Sequence, residues 1–381
     1  MELSAYLAGH YEPQLQYRSF LPTPVNHGWV ISDPHVLQQL GQADRALGEL
    51  NAFAQLVPDI GFFISMYVAK EATQSSRIEG TQTNIEDAFK DLDDLLPEAR
   101  NDWGEVQNYI RAINFAIESL ERLPLSNRLL RETHAILLEG VRGETKRPGE
   151  FRISQNWIGV SLKNAAFVPP HHDHVPDLMS DLESFLHSEE VIVPPLIKIA
   201  IAHYQFETIH PFLDGNGRLG RLMISLYLAS EGLLSKPALY LSDYFERNKT
   251  AYVDHMMAVR QGHHMREWLI FFLYGVEETA RASAEAFKRI LVLKEQVERE
   301  VLPRFTHRRQ ENAQTLVRQL YARPVIDIKS ATALLETTTN TATFLIDDLV
   351  AHGVLKEITG QRRNRLFLFE NYVKLFSERP E

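Results

Sequence analysis

The chain has 381 residues, 44% apolar and 24% charged, enough for two or three domains with cores of their own. It contains no cysteine, which excludes a disulfide framework and any thiolate metal site and fits a reducing, cytoplasmic setting. A formal charge of −10 argues against wholesale coating of nucleic acid, and no apolar stretch is long enough to span a bilayer, so a soluble protein with no membrane partner is expected.

Residues 1–20 carry Glu2, Glu12 and Arg18 and do not read as a signal peptide. The first 30 residues, with Pro13, Pro22, Pro24 and Gly28, read as an extended arm with little regular structure. Asp33 and Pro34 then open a helix as N-cap and first helical residue, with Val36, Leu37, Leu40, Leu47 and Leu50 as its stripe and Pro58 as its stop. A second apolar helix spans about 61–80, with Gly80 as the glycine past its end. Helical patterns follow over 84–96, 103–122 and 127–138. Residues 149–170 mix β-formers with Gly and Asn and predict a hairpin, closed by Pro169 and Pro170. Helices resume over 176–187, 195–209 and 216–230, followed by a long helical stretch over 246–300 with breaks near Gly262 and Gly275. Past Pro303, three short helices (312–321, 328–335, 340–351) precede a two-stranded hairpin, the pattern of a winged helix-turn-helix. The fold class is therefore mainly α.

The chemistry concentrates in His210-Pro-Phe-Leu-Asp-Gly-Asn-Gly-Arg-Leu-Gly-Arg221, a loop feeding a helix N-terminus. Gly215 and Gly217 permit close backbone approach, and the free N–H groups and dipole of the next helix favour an anion there. Arg218 and Arg221, three residues apart, reach the same side of the helix and can grip phosphate oxygens. Asp214 is a hard oxygen ligand suited to Mg²⁺ on a polyphosphate, and His210 is a side chain able to take a hydroxyl proton. Taken singly, each of these features has an ordinary explanation as a turn, a helix face or a packed histidine. Their conjunction in this order points to a phosphate site with a base beside it.

This string resembles the signature of Fic-family protein adenylyltransferases, His-Pro-Phe-x-(Asp/Glu)-Gly-Asn-Gly-Arg-x-x-Arg, at every specified position, and the resemblance extends over roughly 60–280. It implies a Fic-type helical core over 101–300 with a β-hairpin flap near 155–170 that adds a target segment as a strand. It also implies ATP and Mg²⁺ as substrate and cofactor, His210 as catalytic base and Asp214 as metal ligand. Gly215, Asn216, Gly217, Arg218 and Arg221 would contact ATP, and AMP would pass to Ser, Thr or Tyr hydroxyls of a partner protein or of the chain itself. Asn248 and Tyr252 resemble positions near the nucleotide base, although Val253 stands where the family often has a second Tyr. The related Doc-type toxins, which transfer phosphate, depart from the Gly-Asn-Gly-Arg pattern that this chain keeps.

Ser75-Ser-Arg-Ile-Glu79-Gly80 is similar to the family's inhibitory pattern (Ser/Thr)-x-x-x-Glu-(Gly/Asn). A glutamate delivered to Arg221 would occupy the guanidinium meant for the γ-phosphate and leave ATP misplaced for in-line attack. The N-terminal arm and helices, 1–100, would carry this inhibitory helix. The tail, 301–381, holds 12 Lys/Arg against 9 Asp/Glu, and Arg362, Arg363 and Arg365 cluster on the presumed wing. Its presumed recognition helix has no Lys or Arg but carries Asp347 and Asp348, so DNA binding and target docking or homodimer formation both stay open. The rival readings are a DNA-binding regulator whose core only senses nucleotide, and the same enzyme acting in UMP transfer or AMP removal. The histidines of Pro169-Pro-His-His-Asp-His174 read as loop residues, and His203 reads as packing.

Overall fold

The computed structural model describes residues 1–56, 60–361 and 363–377, so Pro58 and Arg362 lie outside the described residues. The arm is more ordered than its composition suggests: β1 (Gly9–Pro13) and β2 (Arg18–Pro22) form an antiparallel hairpin. Phe20 N–H donates to Val168 O at 2.9 Å, which joins this hairpin to the segment leaving the predicted flap. That long-range pairing supplies the order that Pro-rich local sequence could not.

Two long helices follow, α1 (Pro34–Leu56) and α2 (Ile60–Ile78). Asp33 caps the first as expected, its Oδ1 accepting from the N–H groups of His35 and Val36. The helix expected over 84–96 does not form. Residues 87–99 make three short 3₁₀ turns instead: Ala88 and Leu95 are buried, but Leu92 and Leu96 stay exposed, so the acid-rich run has no continuous apolar face to bury. Next come α3 (Arg100–Ser119) and α4 (Asn127–Leu137), the latter capped by Ser126 Oγ. The flap is a minimal antiparallel pair, β3 (Ile158–Gly159) and β4 (Ala165–Phe167).

The chain continues through α5 (Val175–His187), α6 (Pro195–Ile209), α7 (Asn216–Ser230), α8 (Ser242–Arg247), α9 (Lys249–Gly262) and α10 (Met265–Gln296). Every residue of α6 from Leu196 to Ile209 is buried, as its apolar sequence on all sides requires, so it forms the axis of the core. The break near Gly262 is real, with His263 left-handed at φ 62°. The break expected at Gly275 is absent. This glycine lies inside α10, where a side chain would strike the Tyr244 ring, so its smallness serves packing.

The tail holds α11 (His307–Ala322), β5 (Val325–Asp327), α12 (Ile328–Leu334), α13 (Thr339–Ala351), β6 (Lys356–Glu357), β7 (Leu366–Leu368) and α14 (Glu370–Ser377). This is the expected three-helix and hairpin order with one strand and one terminal helix added, the sheet running β5-β7-β6. The unit packs on α2: Phe63 lies against Tyr321 and Tyr372, and Tyr67 against Phe376. No helix among the described residues is long and apolar enough to cross a membrane.

Candidate active site

Between α6 and α7 the chain turns in six residues, 210–215, and the turn is held by side chains more than by its own backbone. Asn216 Oδ1 accepts from Phe212 N–H while its Nδ2 donates to Phe212 O, both at 2.8 Å. The expected nucleotide contact Asn216 therefore spends its side chain on the loop and leaves only its main chain to a ligand. Gly215 at φ 76° begins α7, whose first N–H groups open onto the site.

His210 ends α6 in the left-handed region, φ 52° and ψ 60°, a conformation costly for a residue with a Cβ. Arg152 and Asn156 hold it there. Arg152 Nε donates to His210 O at 3.0 Å and Asn156 Nδ2 donates to the same oxygen at 3.1 Å. Arg152 is buried and also donates to Pro170 O and Ser154 O, so one guanidinium ties the segment 152–170 to the turn at His210. The His210 imidazole is half-buried, with its Nδ1 lacking a hydrogen-bond partner. Burial, with the Arg260 and Arg152 charges adding to it and Glu79 opposing, pushes its pKa down to about 4. It is neutral at physiological pH and able to accept a proton.

Both arginines are buried and engaged. Arg218 Nη1 donates to Glu105 Oε2 at 2.9 Å, and its Nη2 lies 3.7 Å from Asp214 Oδ1. Arg221 Nε donates to Ser75 Oγ at 2.9 Å, and its Nη2 donates to Ser75 O at 2.9 Å and to Glu79 Oε1 at 2.8 Å. Glu79 is delivered by the way α2 ends. Thr81 N–H donates to Ser76 O and Gly80 N–H to Arg77 O, the paired bonds of a Schellman motif, with Gly80 at φ 106°. Glu79 thereby becomes the cap residue just past the helix, and Lys249 Nζ donates to Ile78 O at 2.6 Å beside it. Burial works against the Glu79 carboxylate, but Arg221, Arg218 and His210 hold its pKa below the ordinary value, so it stays an anion.

The position of that carboxylate decides what the turn accommodates. A methyl group added at Gly217 would collide with Glu79 Oε1 and stand 2.9 Å from Arg221 Nη1. An anion is thus seated over a glycine at the N-terminus of α7, beside a guanidinium, in the space a phosphate oxygen would need. Asp214 fits a hard cation: its side chain is partly exposed, Oδ1 accepts from Gly215 N–H at 2.6 Å, and Oδ2 faces Gly143.

Asn248 and Tyr252 are committed elsewhere in this structure. Asn248 Nδ2 donates to Tyr244 O at 2.9 Å, and the Tyr252 hydroxyl lies 2.9 Å from His203 Nε2. His203 Nδ1 donates to Gly220 O, so Nε2 accepts from Tyr252, and this histidine is a buried tie between α6, α7 and α9. His171 and His172 lie against the exposed Asp173, at 3.2 and 3.6 Å. The sequence reading gave no role to Arg152, Asn156, Glu105, Glu71 or His134. The first two lie in the segment read as flap, and the other three are lone polar residues on helices, a pattern that does not separate core ties from solvated faces.

A model described as "Fic/DOC family N-terminal" matches residues 37–118, and one described as "Fic/DOC family" matches residues 124–228. The chain belongs to the Fic/DOC family. Named relatives of this family include protein adenylyltransferase Fic of Aedes aegypti, 33% identical over 115 residues, which are 30% of this chain and 21% of that protein. A probable protein adenylyltransferase of Aquifex aeolicus is 35% identical over 98 residues, 26% of this chain and 28% of that protein. The matched segments thus span under a third of these relatives' lengths. A crystal structure of a Fic family protein from Desulfovibrio desulfuricans superposes with a TM-score of 0.55 over 90% of this chain and 98% of that one. At 18% identity this likeness speaks for the fold.

Proposed function

We propose that this chain is a protein adenylyltransferase that moves AMP from ATP to a hydroxyl of a protein, itself or a partner, and that Glu79 restrains it. The observation that carries the reading is the Glu79 carboxylate seated over Gly217 on Arg221, with His210 at the facing helix end. Neutral His210 takes the hydroxyl proton as the oxygen bonds to the α-phosphorus and the bond to the departing pyrophosphate breaks. The N–H groups of Gly215, Asn216 and Gly217 bear on the phosphate charge, and Glu105 keeps Arg218 aligned beside them. Asp214 would hold Mg²⁺, which when bound neutralises charge on the polyphosphate. With Glu79 in place the Nε and Nη2 donors of Arg221 are taken by Ser75 and Glu79, which makes the restraint a competition between two anions for one guanidinium.

That the relatives are adenylyltransferases by name supports AMP as the transferred group, and the intact Gly-Asn-Gly-Arg pattern supports it over phosphate. DNA recognition by the tail draws less support. Asp347 and Asp348 on α13 are paired with Arg365 and Arg309, so these two arginines are turned to acids rather than presented to a phosphate backbone. The test is intact mass after incubation with ATP, UTP or no nucleotide, on wild type and His210→Ala. Gain of one AMP with ATP, absent from His210→Ala, is expected. Gain of UMP or of phosphate alone, or an unchanged signal in His210→Ala, would replace the reading.

A further inference from the structure

The structure assigns a positioning role to His134, a residue outside the signature loop: we infer that its ring fixes the flap root relative to the phosphate cradle. The inference rests on the adenylyl-transfer reading for its purpose, and on geometry alone for its substance. His134 is fully buried on α4. Its Nδ1 accepts from Gly149 N–H at 2.9 Å, which places the ring proton on Nε2, and Nε2 donates to Asp214 O at 2.9 Å. The ring also lies flat on Phe212, with centroids 3.8 Å apart and planes at 14°.

Both ends of this bridge are places where the backbone has little freedom of its own. Gly149 stands at φ 79°, and a side chain there would press on Arg131 O and Ala135 Cβ, each at 3.2 Å. Its carbonyl accepts from Arg131 Nε at 2.8 Å, so α4 holds this residue from both sides. Three residues later Arg152 grips His210 O. At the other end, Asp214 O is the carbonyl before Gly215, where a Cβ would come 3.3 Å from His134 Nε2. One neutral imidazole therefore sets the distance between the segment that leads to the flap and the loop that receives phosphate. Neither the target segment nor the nucleotide needs to touch it.

The two nitrogens can be tested apart. Asparagine places its amide near the Nδ1 position and glutamine near Nε2, so His134→Asn keeps the Gly149 end and His134→Gln keeps the Asp214 end. Both are made in full-length Glu79→Gly protein. Amide hydrogen exchange is measured by mass spectrometry at 147–160 and 212–220, with calorimetric binding of a non-hydrolysable ATP analogue in Mg²⁺. Losing one hydrogen bond is worth about a tenfold change. His134→Asn is expected to weaken analogue binding about tenfold and speed exchange at 212–220 only. His134→Gln is expected to leave binding within about twofold and speed exchange at 147–160 only. Equal effects of the two variants, a rise in exchange along the whole chain, or no change in either segment would overturn the assignment. Failure of the transfer reading would show separately, as a Glu79→Gly parent that binds the analogue but never gains AMP.

Discussion

The two halves of α2 are held by opposite kinds of force. Its first half is apolar and aromatic: Phe63 and Tyr67 pack among Tyr321, Tyr372, Phe287 and Phe376, with the Ser65 Oγ–Ala322 O and Tyr67 hydroxyl–Ser283 O hydrogen bonds among them. Its second half is polar and buried: Glu71 accepts from the Tyr109 and Ser242 hydroxyls, and Ser75 and Glu79 accept from Arg221. Apolar area is non-directional and is lost in proportion to the atoms removed, whereas a buried polar contact is lost whole when one partner goes. The first half therefore fixes where the helix lies, and the second fixes what its end does to the active site.

Several substitutions can break or sharpen that division. The largest effect belongs to the site the polar half reaches: in a Glu79→Gly background, His210→Ala should cut AMP incorporation on the order of 10²–10⁴-fold, measured by label transfer from ATP. At the apolar half, Phe63→Ala should cost about 3–5 kcal/mol in urea unfolding, with transfer per folded molecule unchanged. If transfer climbs instead, the two halves are coupled and the tail acts on the restraint. Between them, Glu71→Ala leaves the Ser242 hydroxyl without its acceptor and the Tyr109 hydroxyl with only Arg218 O, and should cost about 1–3 kcal/mol while raising AMP incorporation, because the polar half loosens. A loss of stability with no gain in transfer would confine Glu71 to packing.

The smallest effect is on pH dependence. His203 is buried in the core that both halves rest on, and burial pushes its pKa down to about 3. The unfolded chain then binds a proton that the folded chain refuses, so stability is complete above about pH 6.5 and falls as pH drops toward 3. Between pH 7 and 5 this group should account for about 1–2 kcal/mol, and His203→Gln should flatten that part of the slope in unfolding titrations.

What the sequence made legible follows the same division. Elements with strong apolar periodicity or clear caps were readable to the residue: the stretches 195–209 and 216–230 coincide with α6 and α7, and the Asp33 cap is where Asp33 and Pro34 announce it. The site loop was readable because its glycines, acids and arginines sit together in the chain. The N-terminal hairpin was not, since its order comes from Val168 and other distant partners, and the stretch 84–96 misled because Leu92, Leu95 and Leu96 mimic a helical stripe of which only Leu95 finds a surface to cover. The contacts of Arg152, Asn156, Glu105 and His134 with the turn escaped notice for one reason: each acts on a backbone or side chain 54 to 113 residues away, far beyond any local pattern, and only the fold brings them to the turn. Tyr252 shows the converse, a residue singled out by position whose hydroxyl is already taken by His203.

The central claim is that one carboxylate and one phosphate compete for Arg221. Intact mass of Glu79→Gly beside wild type, after equal incubation with ATP and Mg²⁺, tests it most directly. At least about a tenfold rise in covalently bound AMP is predicted, the equivalent of one charge-assisted hydrogen bond released. Equal AMP incorporation in the two proteins, with both folded, would contradict it.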